Sequence, residues 1–174
     1  EYLTGRSDPN RLAFYNSNIK PYRNEYGLHD GNYADRFNYW LPHIIQLLKN
    51  DPDTRQAVIP IYGNQDRHLS KDIPCTVMLQ FFIREGKLYA SSYMRSNDLL
   101  WGFPYDINAF CFIQQNIASL LNIPLGRYTH HVGSMHLYIE REDRLLKCLA
   151  NPIVNDHLHY LVPQWEDLDY LYSQ

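Results

Sequence analysis

Cys75 has the most reactive chemistry open to it, because a thiolate is a soft nucleophile whose formation a neighbouring cation favours. It stands at the head of a run of strand-forming residues, where a cysteine serves equally as a small buried hydrophobe. Arg95, followed directly by Ser96, can bring a guanidinium and a hydroxyl onto one phosphate or form an ordinary surface ion pair. Asp106 stands near the start of a helical pattern. Its carboxylate can cap a helix beginning near Ile107 or accept hydrogen bonds from a ligand's amino group. His136 and Tyr138 alternate with apolar residues, which places both on one face of a strand. His43, His68, His157 and His159 lack partners at metal-ligand spacing, and His29, His130 and His131 are no more specific, so no metal is expected.

The elements that must position these groups read as a mixture of helices and hairpins. Asp8-Pro9 after Ser7 marks a helix start carrying Leu12 and Tyr15, and residues 20–36, with Pro21, Gly27 and Gly31, read as an irregular loop. From Trp40, the residues Leu41, Ile44, Ile45 and Leu48 recur at helical spacing until Asn50-Asp51-Pro52 stops them. Gln56 to Tyr62 reads as a strand that Pro60 confines to an edge or a bulge. Cys75 to Arg84 and Lys87 to Met94, joined by Glu85-Gly86, form the clearest hairpin. Tyr105 to Leu121 returns to helical spacing as a central buried helix, and Tyr128 to Glu140 alternates as one strand with Ser134, His136 and Tyr138 on its polar face. Trp165, Tyr170 and Tyr172 supply a final short helix. This order predicts an α+β fold rather than a doubly wound sheet.

Composition sets the class. A chain of 174 residues with 45% hydrophobic and 14% aromatic content can bury a single core, so one domain is expected. A formal net charge of -3 and a pI near 6.2 give no footprint for nucleic acid or anionic lipid. No apolar run is long enough to span a membrane. Three cysteines without zinc or CxxC spacing fit a reducing compartment, so a cytoplasmic location is expected.

Four ordered segments go further: Asp51-Pro52-Asp53-Thr54-Arg55; Ile73-Pro74-Cys75; Arg95-Ser96-Asn97-Asp98 with Gly102-Phe103-Pro104-Tyr105-Asp106; and His130 to Tyr138. In order and spacing this set resembles the thymidylate synthase and deoxycytidylate hydroxymethylase family over about residues 40–140. The resemblance implies a mixed sheet packed with helices, whose other face forms a homodimer. It implies that residues 1–174 are one such domain lacking N-terminal and C-terminal parts of the full family domain. The family's essential glutamate, on a helix before the segment resembling Tyr2-Leu3-Thr4-Gly5, falls by spacing just upstream of Glu1.

The site implied by the resemblance is specific. Cys75 is the nucleophile, Arg95 and Ser96 hold the nucleotide phosphate, and Arg55 reaches the phosphate of the neighbouring subunit. His136 and Tyr138 bond the sugar 3'-hydroxyl, Asp98 and Gly102 line the folate site, and Tyr33 corresponds to a tyrosine near the reacting carbon. The family's usual second arginine is Gln56 here, and the histidine that often follows the cysteine is Thr76. Asp106 occupies a position that is Asn in the resembling thymidylate synthases. An amide serves uracil, which offers N3–H and O4, whereas a carboxylate sharing a proton serves cytosine, which offers an amino group and an unprotonated N3. The implied reaction transfers a one-carbon unit from methylenetetrahydrofolate to C5 of CMP or dCMP, with hydroxymethylation as the outcome. The alternatives are methylation of a related pyrimidine nucleotide and a noncatalytic nucleotide-binding protein.

Overall fold

The hairpin organises the molecule. Strands β2 (Thr76–Arg84) and β3 (Lys87–Met94) pair antiparallel through Phe81↔Ala90 and Ile83↔Leu88. Glu85 and Gly86 at its tip have φ of 53° and 67°, the left-handed pair that matches strand twist in a two-residue turn. In the computed structural model, which describes residues 8–15, 17–68 and 72–151, β1 (Val58–Pro60) adds antiparallel to β2, and β5 (Leu125–Val132) adds parallel to β3. The order β1-β2-β3-β5 makes a mixed sheet, and Pro60 sits on its edge strand, where no ladder donor is lost.

Helices α2 (Tyr33–Asn50) and α3 (Phe103–Leu121) cover one face of this sheet. Phe37, Leu41, Ile44 and Leu48 of α2 meet Ile59, Leu79, Phe81 and Leu88 of the strands and Phe110, Ile113 and Ile117 of α3. Each side chain of this size contributes about 1.5–3 kcal/mol when withdrawn from water. The fold is α+β, as the pattern of elements predicts.

Three expectations need correction. The α2 helix begins at Tyr33, not near Trp40, because the Asn32 side chain caps it by accepting from the Ala34 N–H at 2.9 Å; residues 33–36 are therefore helical rather than loop. Residues 17–22, which overlap the start of the expected loop, also form a 3-10 turn, after the short helix α1 (Pro9–Tyr15). The single strand from Tyr128 is interrupted: β5 ends at Val132, Gly133 N–H bonds the Met94 carbonyl at 2.8 Å, and β6 (Met135–His136) pairs with β4 (Asn97–Asp98) in a separate small sheet. Tyr138 then precedes a 3-10 turn, and helix α4 (Glu142–Ala150) follows. The expected terminal helix with Trp165 lies outside the described residues.

One buried ion pair ties α2 to the turn after β1. Arg36 donates two parallel bonds to Asp66, at 2.6 and 2.7 Å, and Asp66, fully buried, also accepts from Gly63 N–H. Burial pushes the Asp66 carboxyl upward, but the bonds from Arg36 and Gly63 and the Arg36 charge prevail and hold it below 3.8.

Candidate active site

Cys75 immediately precedes β2, at a register shift between Thr76 and Met78 that turns the strand end. Its backbone is fixed from two sides. The Tyr33 hydroxyl accepts from the N–H groups of Cys75 and Thr76, each at 3.1 Å, and the Cys75 carbonyl accepts from Arg95 N–H at 2.9 Å. Burial lifts the Tyr33 phenol to about 12, so it stays protonated beside the thiol.

Arg95 follows β3, the partner of β2, which brings it back to Cys75. Its Nε donates to the Pro74 carbonyl at 2.9 Å and its Nη2 to the Ile73 carbonyl at 3.1 Å, with Nη2 3.8 Å from Cys75 Sγ. Arg95 depresses the thiol pKa as a neighbouring cation should, but it is outweighed. Desolvation raises the Cys75 thiol above 9.0, Arg95 lowers it, and the carboxylates of Asp106 and Asp72 add to the rise. Burial wins.

The other groups converge through the small β4–β6 sheet. Ser96 Oγ lies 3.3 Å from His136 Nδ1, and the His136 and Tyr138 rings meet edge to face at 5.2 Å. Asp98 pairs with His136 and uses Oδ1 to accept from the N–H groups of Leu100 and Trp101. Its Oδ2 is buried with no hydrogen-bond partner among the described residues. A side chain at Gly102 would bring a Cβ to 2.4 Å from Asn97 Oδ1, so glycine is required for that packing.

Asp106 does not cap α3. The helix begins at Phe103 with Gly102 before it, so Asp106 lies in the first turn, its backbone N–H bonding the Gly102 carbonyl. Its side chain is free for other work. Burial raises the carboxyl from 3.8 to about 7, only partly offset by a hydrogen bond from Asn97. Tyr33, Cys75 and Asp106 interact electrostatically, which brings the three expected catalytic positions into one site.

Arg55 is not at this site. It is exposed in the turn before β1, with its carbonyl accepting from Gln80 in the middle of β2. Sequence reasoning missed a set of polar side chains behind Asp106: Asn97, His130, Tyr128 and Ser92, joined by bonds of 2.6–2.9 Å. The period-2 alternation of Tyr128, His130 and Val132 held the signal for their common face.

No group of three or more metal-ligating side chains occurs among the described residues, and none of their helices is long and apolar enough to cross a membrane. Comparison with known proteins matches residues 14–164 to the family model described as thymidylate synthase. The chain is 34% identical over 160 residues to the deoxyuridylate hydroxymethyltransferase of Bacillus phage SP01, covering 79% of this chain and 41% of that protein. It is 32% identical over 141 residues to a putative thymidylate synthase of Methanocaldococcus jannaschii, covering 78% and 64%. A bifunctional dihydrofolate reductase-thymidylate synthase of Paramecium tetraurelia is 36% identical over 104 residues, covering 60% and 22%. The chain thus spans less than two thirds of the length of each of these relatives.

Proposed function

The chain belongs to the thymidylate synthase family, and from that premise we propose that it transfers a one-carbon unit to C5 of CMP or dCMP, giving 5-hydroxymethylcytidylate. The observation that carries this reading is Asp106, a carboxyl lifted to about 7 and set beside Cys75. A carboxyl that shares its proton near neutrality donates to cytosine N3 while its other oxygen accepts from the N4 amino group.

The chain's own groups account for the pyrimidine chemistry. The Cys75 thiolate adds to C6, while Asp106 passes its proton to N3, which leaves C5 electron-rich. Methylenetetrahydrofolate, when bound, supplies the one-carbon unit, and Asp98 with Gly102 would hold it. That chemistry would end with an exocyclic methylene on the base, the C5 proton passing to water and the folate nitrogen leaving with a proton from solvent. Water adds to that carbon, and expulsion of Cys75 releases the hydroxymethyl product. Tyr33 fixes the nucleophile's backbone, and Arg95 and Ser96 take the nucleotide phosphate, with His136 and Tyr138 on the sugar.

We place this reaction in a homodimer and in the cytoplasm. Arg55, exposed away from its own Cys75, suits service to the neighbouring subunit, and the three free thiols suit a reducing compartment. Mixed dimers carrying Cys75→Ser in one chain and Arg55→Ala in the other should then keep one intact site.

The second reading is a uridylate substrate, favoured by the relative named for deoxyuridylate. Tritium release from 5-tritiated CMP, dCMP and dUMP with methylenetetrahydrofolate separates the two. Release from the cytosine nucleotides, abolished by Cys75→Ser, is the expected result. Equal turnover of dUMP would sink the role given to Asp106.

A further inference from the structure

We infer that Asp72 is a positioning residue for Cys75: its carboxylate clasps the loop leading into α2 onto the segment that carries the nucleophile, and so keeps the Ile73 and Pro74 carbonyls where Arg95 reaches them. This rests on reading Cys75 as the nucleophile, but the clasp can be tested without any substrate.

The segment needs a hold from outside. Residues 72–75 precede β2 and belong to no helix or strand, so no ladder fixes them, and Pro74 has no N–H to contribute. Four consecutive residues across the molecule supply the hold. Gly31 N–H donates to Asp72 Oδ2 at 2.9 Å, and the Tyr33 hydroxyl accepts from the N–H groups of Cys75 and Thr76, each at 3.1 Å. Between and before them, the Asn32 side chain caps α2, and the Asp30 carbonyl accepts from Arg36 Nη2 at 3.0 Å. The first pair grips the nucleophile's segment at both ends, and the second ties the loop to the helix.

The loop is itself a firm partner. Asn24 Oδ1 accepts from the N–H groups of Tyr26 and Leu28 at 2.9 and 3.0 Å, and its Nδ2 donates to Asp30 Oδ1 at 2.7 Å. Its approach to Asp72 is close. A Cβ on Gly31 would stand 2.6 Å from the Asp72 carbonyl oxygen and 3.0 Å from its Cγ, so glycine alone admits this contact. His29, with a side chain only 8% exposed, faces the same carboxylate with Nδ1 3.6 Å from Oδ2.

The consequence reaches the thiol through Arg95. Its Nε and Nη2 donate to the Pro74 and Ile73 carbonyls at 2.9 and 3.1 Å, and the same Nη2 lies 3.8 Å from Cys75 Sγ. Any shift of Ile73 therefore moves the guanidinium relative to the sulfur. The Asp72 carboxylate also acts directly, because a negative charge near the thiol opposes its ionisation. The two effects have opposite signs: the clasp supports the cation that favours thiolate, while the charge disfavours it. The other groups facing the thiol are Tyr33 from α2 and Asp106 from α3, and substitution at 72 leaves both in place.

Two substitutions separate these effects. Asp72→Asn keeps an oxygen to accept from Gly31 and drops the charge, whereas Asp72→Ala drops both. Asp72 lies outside the core and keeps solvent contact, so both variants retain the fold, which their urea midpoints check. Alkylation of Cys75 is read against pH by peptide mass on the ligand-free full chain, with amide exchange at Gly31 followed by NMR. Asp72→Asn should lower the alkylation midpoint by about half a pH unit and leave the Gly31 amide protected. Asp72→Ala should lie about half a pH unit above Asp72→Asn, with Gly31 open to exchange. Coincident profiles for the two variants, or a Gly31 amide as protected in Asp72→Ala as in the wild type, would overturn the clasp. A profile unmoved in Asp72→Asn would overturn the direct action of the charge. No nucleotide is present, so a failed clasp leaves the cytidylate reading standing; the nucleophile reading fails instead if Cys75→Ser still releases tritium.

Discussion

The raised carboxyl of Asp106 makes a prediction about stability that needs no substrate. Its folded value of about 7 lies above the ordinary 3.8, so the folded state holds the proton more tightly than the unfolded chain. Asp106 is therefore harmless below 3.8 and costs stability progressively as pH rises through about 7, after which the cost is constant. Each pH step within that interval removes at most about 1.4 kcal/mol. Between pH 5 and pH 8 the loss sums to about 2.5 kcal/mol, reduced to about 2 kcal/mol because the side chain keeps some solvent contact.

Asp106→Asn removes the titration while keeping the shape. The difference in unfolding free energy between variant and wild type should widen by about 2 kcal/mol from pH 5 to pH 8. In a chain of this size that is a relative change of about 4–8 °C in Tm. Urea denaturation at both pH values, with m compared, gives the direct reading. Parallel pH dependence in the two proteins would refute the claim that burial strains this carboxylate.

The same substitution should change substrate choice. An amide at 106 pairs with uracil N3–H and O4, so the ratio of kcat/KM for cytidylate over uridylate should fall by about 10- to 100-fold, the effect of one mismatched buried polar contact; tritium release with both nucleotides measures it. At Cys75, whose thiol is raised above 9.0 with Arg95 opposing the rise, alkylation should be slow at neutral pH and accelerate into the alkaline range. Arg95→Met should move that profile higher still, and a profile centred below 9.0 in the wild type would contradict the burial argument. Asp66→Asn should cost about 1–3 kcal/mol, because the half-buried Arg36 loses its charged partner while keeping its bonds to the Ile61 and Asp30 carbonyls. Since the wild-type carboxyl is held below 3.8, the stability it contributes is present above that pH and lost as pH falls beneath it, which acid titration of unfolding can follow.

Much of this was written in local chemistry. The hairpin was legible because Glu85-Gly86 supplies the positive φ its turn demands, and β1 because Pro60 tolerates only an edge. The start of α2 was not, because its first turns mix polar and aromatic residues; the cap on Asn32 shows only in three dimensions. The break after β5 was hidden because alternation continues in sequence through Gly133-Ser134 while the backbone changes partner from β3 to β4. Cys75, Arg95, Asp106 and His136 were nominated by their ordered motifs. His130 was passed over because one histidine carries no information until Ser92 and Asn97, from two other strands, are seen on either side of its ring.

The two raised groups are best understood together. Desolvation lifts both Cys75 and Asp106, and the Asp106 carboxylate further raises the thiol, so ionising both at once is the least favourable state. Two states of equal net charge remain: carboxylate with thiol, or carboxylic acid with thiolate. On the cytidylate reading, the unprotonated N3 of cytosine requires a donor and thus selects the second. The base that needs the proton on Asp106 also relieves the repulsion that holds Cys75 protonated. Uracil, which carries its own proton on N3, pairs instead with the carboxylate and leaves that repulsion in place. Substrate choice and nucleophile activation are then two expressions of one proton's position, which is why a buried carboxyl near neutrality, rather than a fully ionised one, suits residue 106.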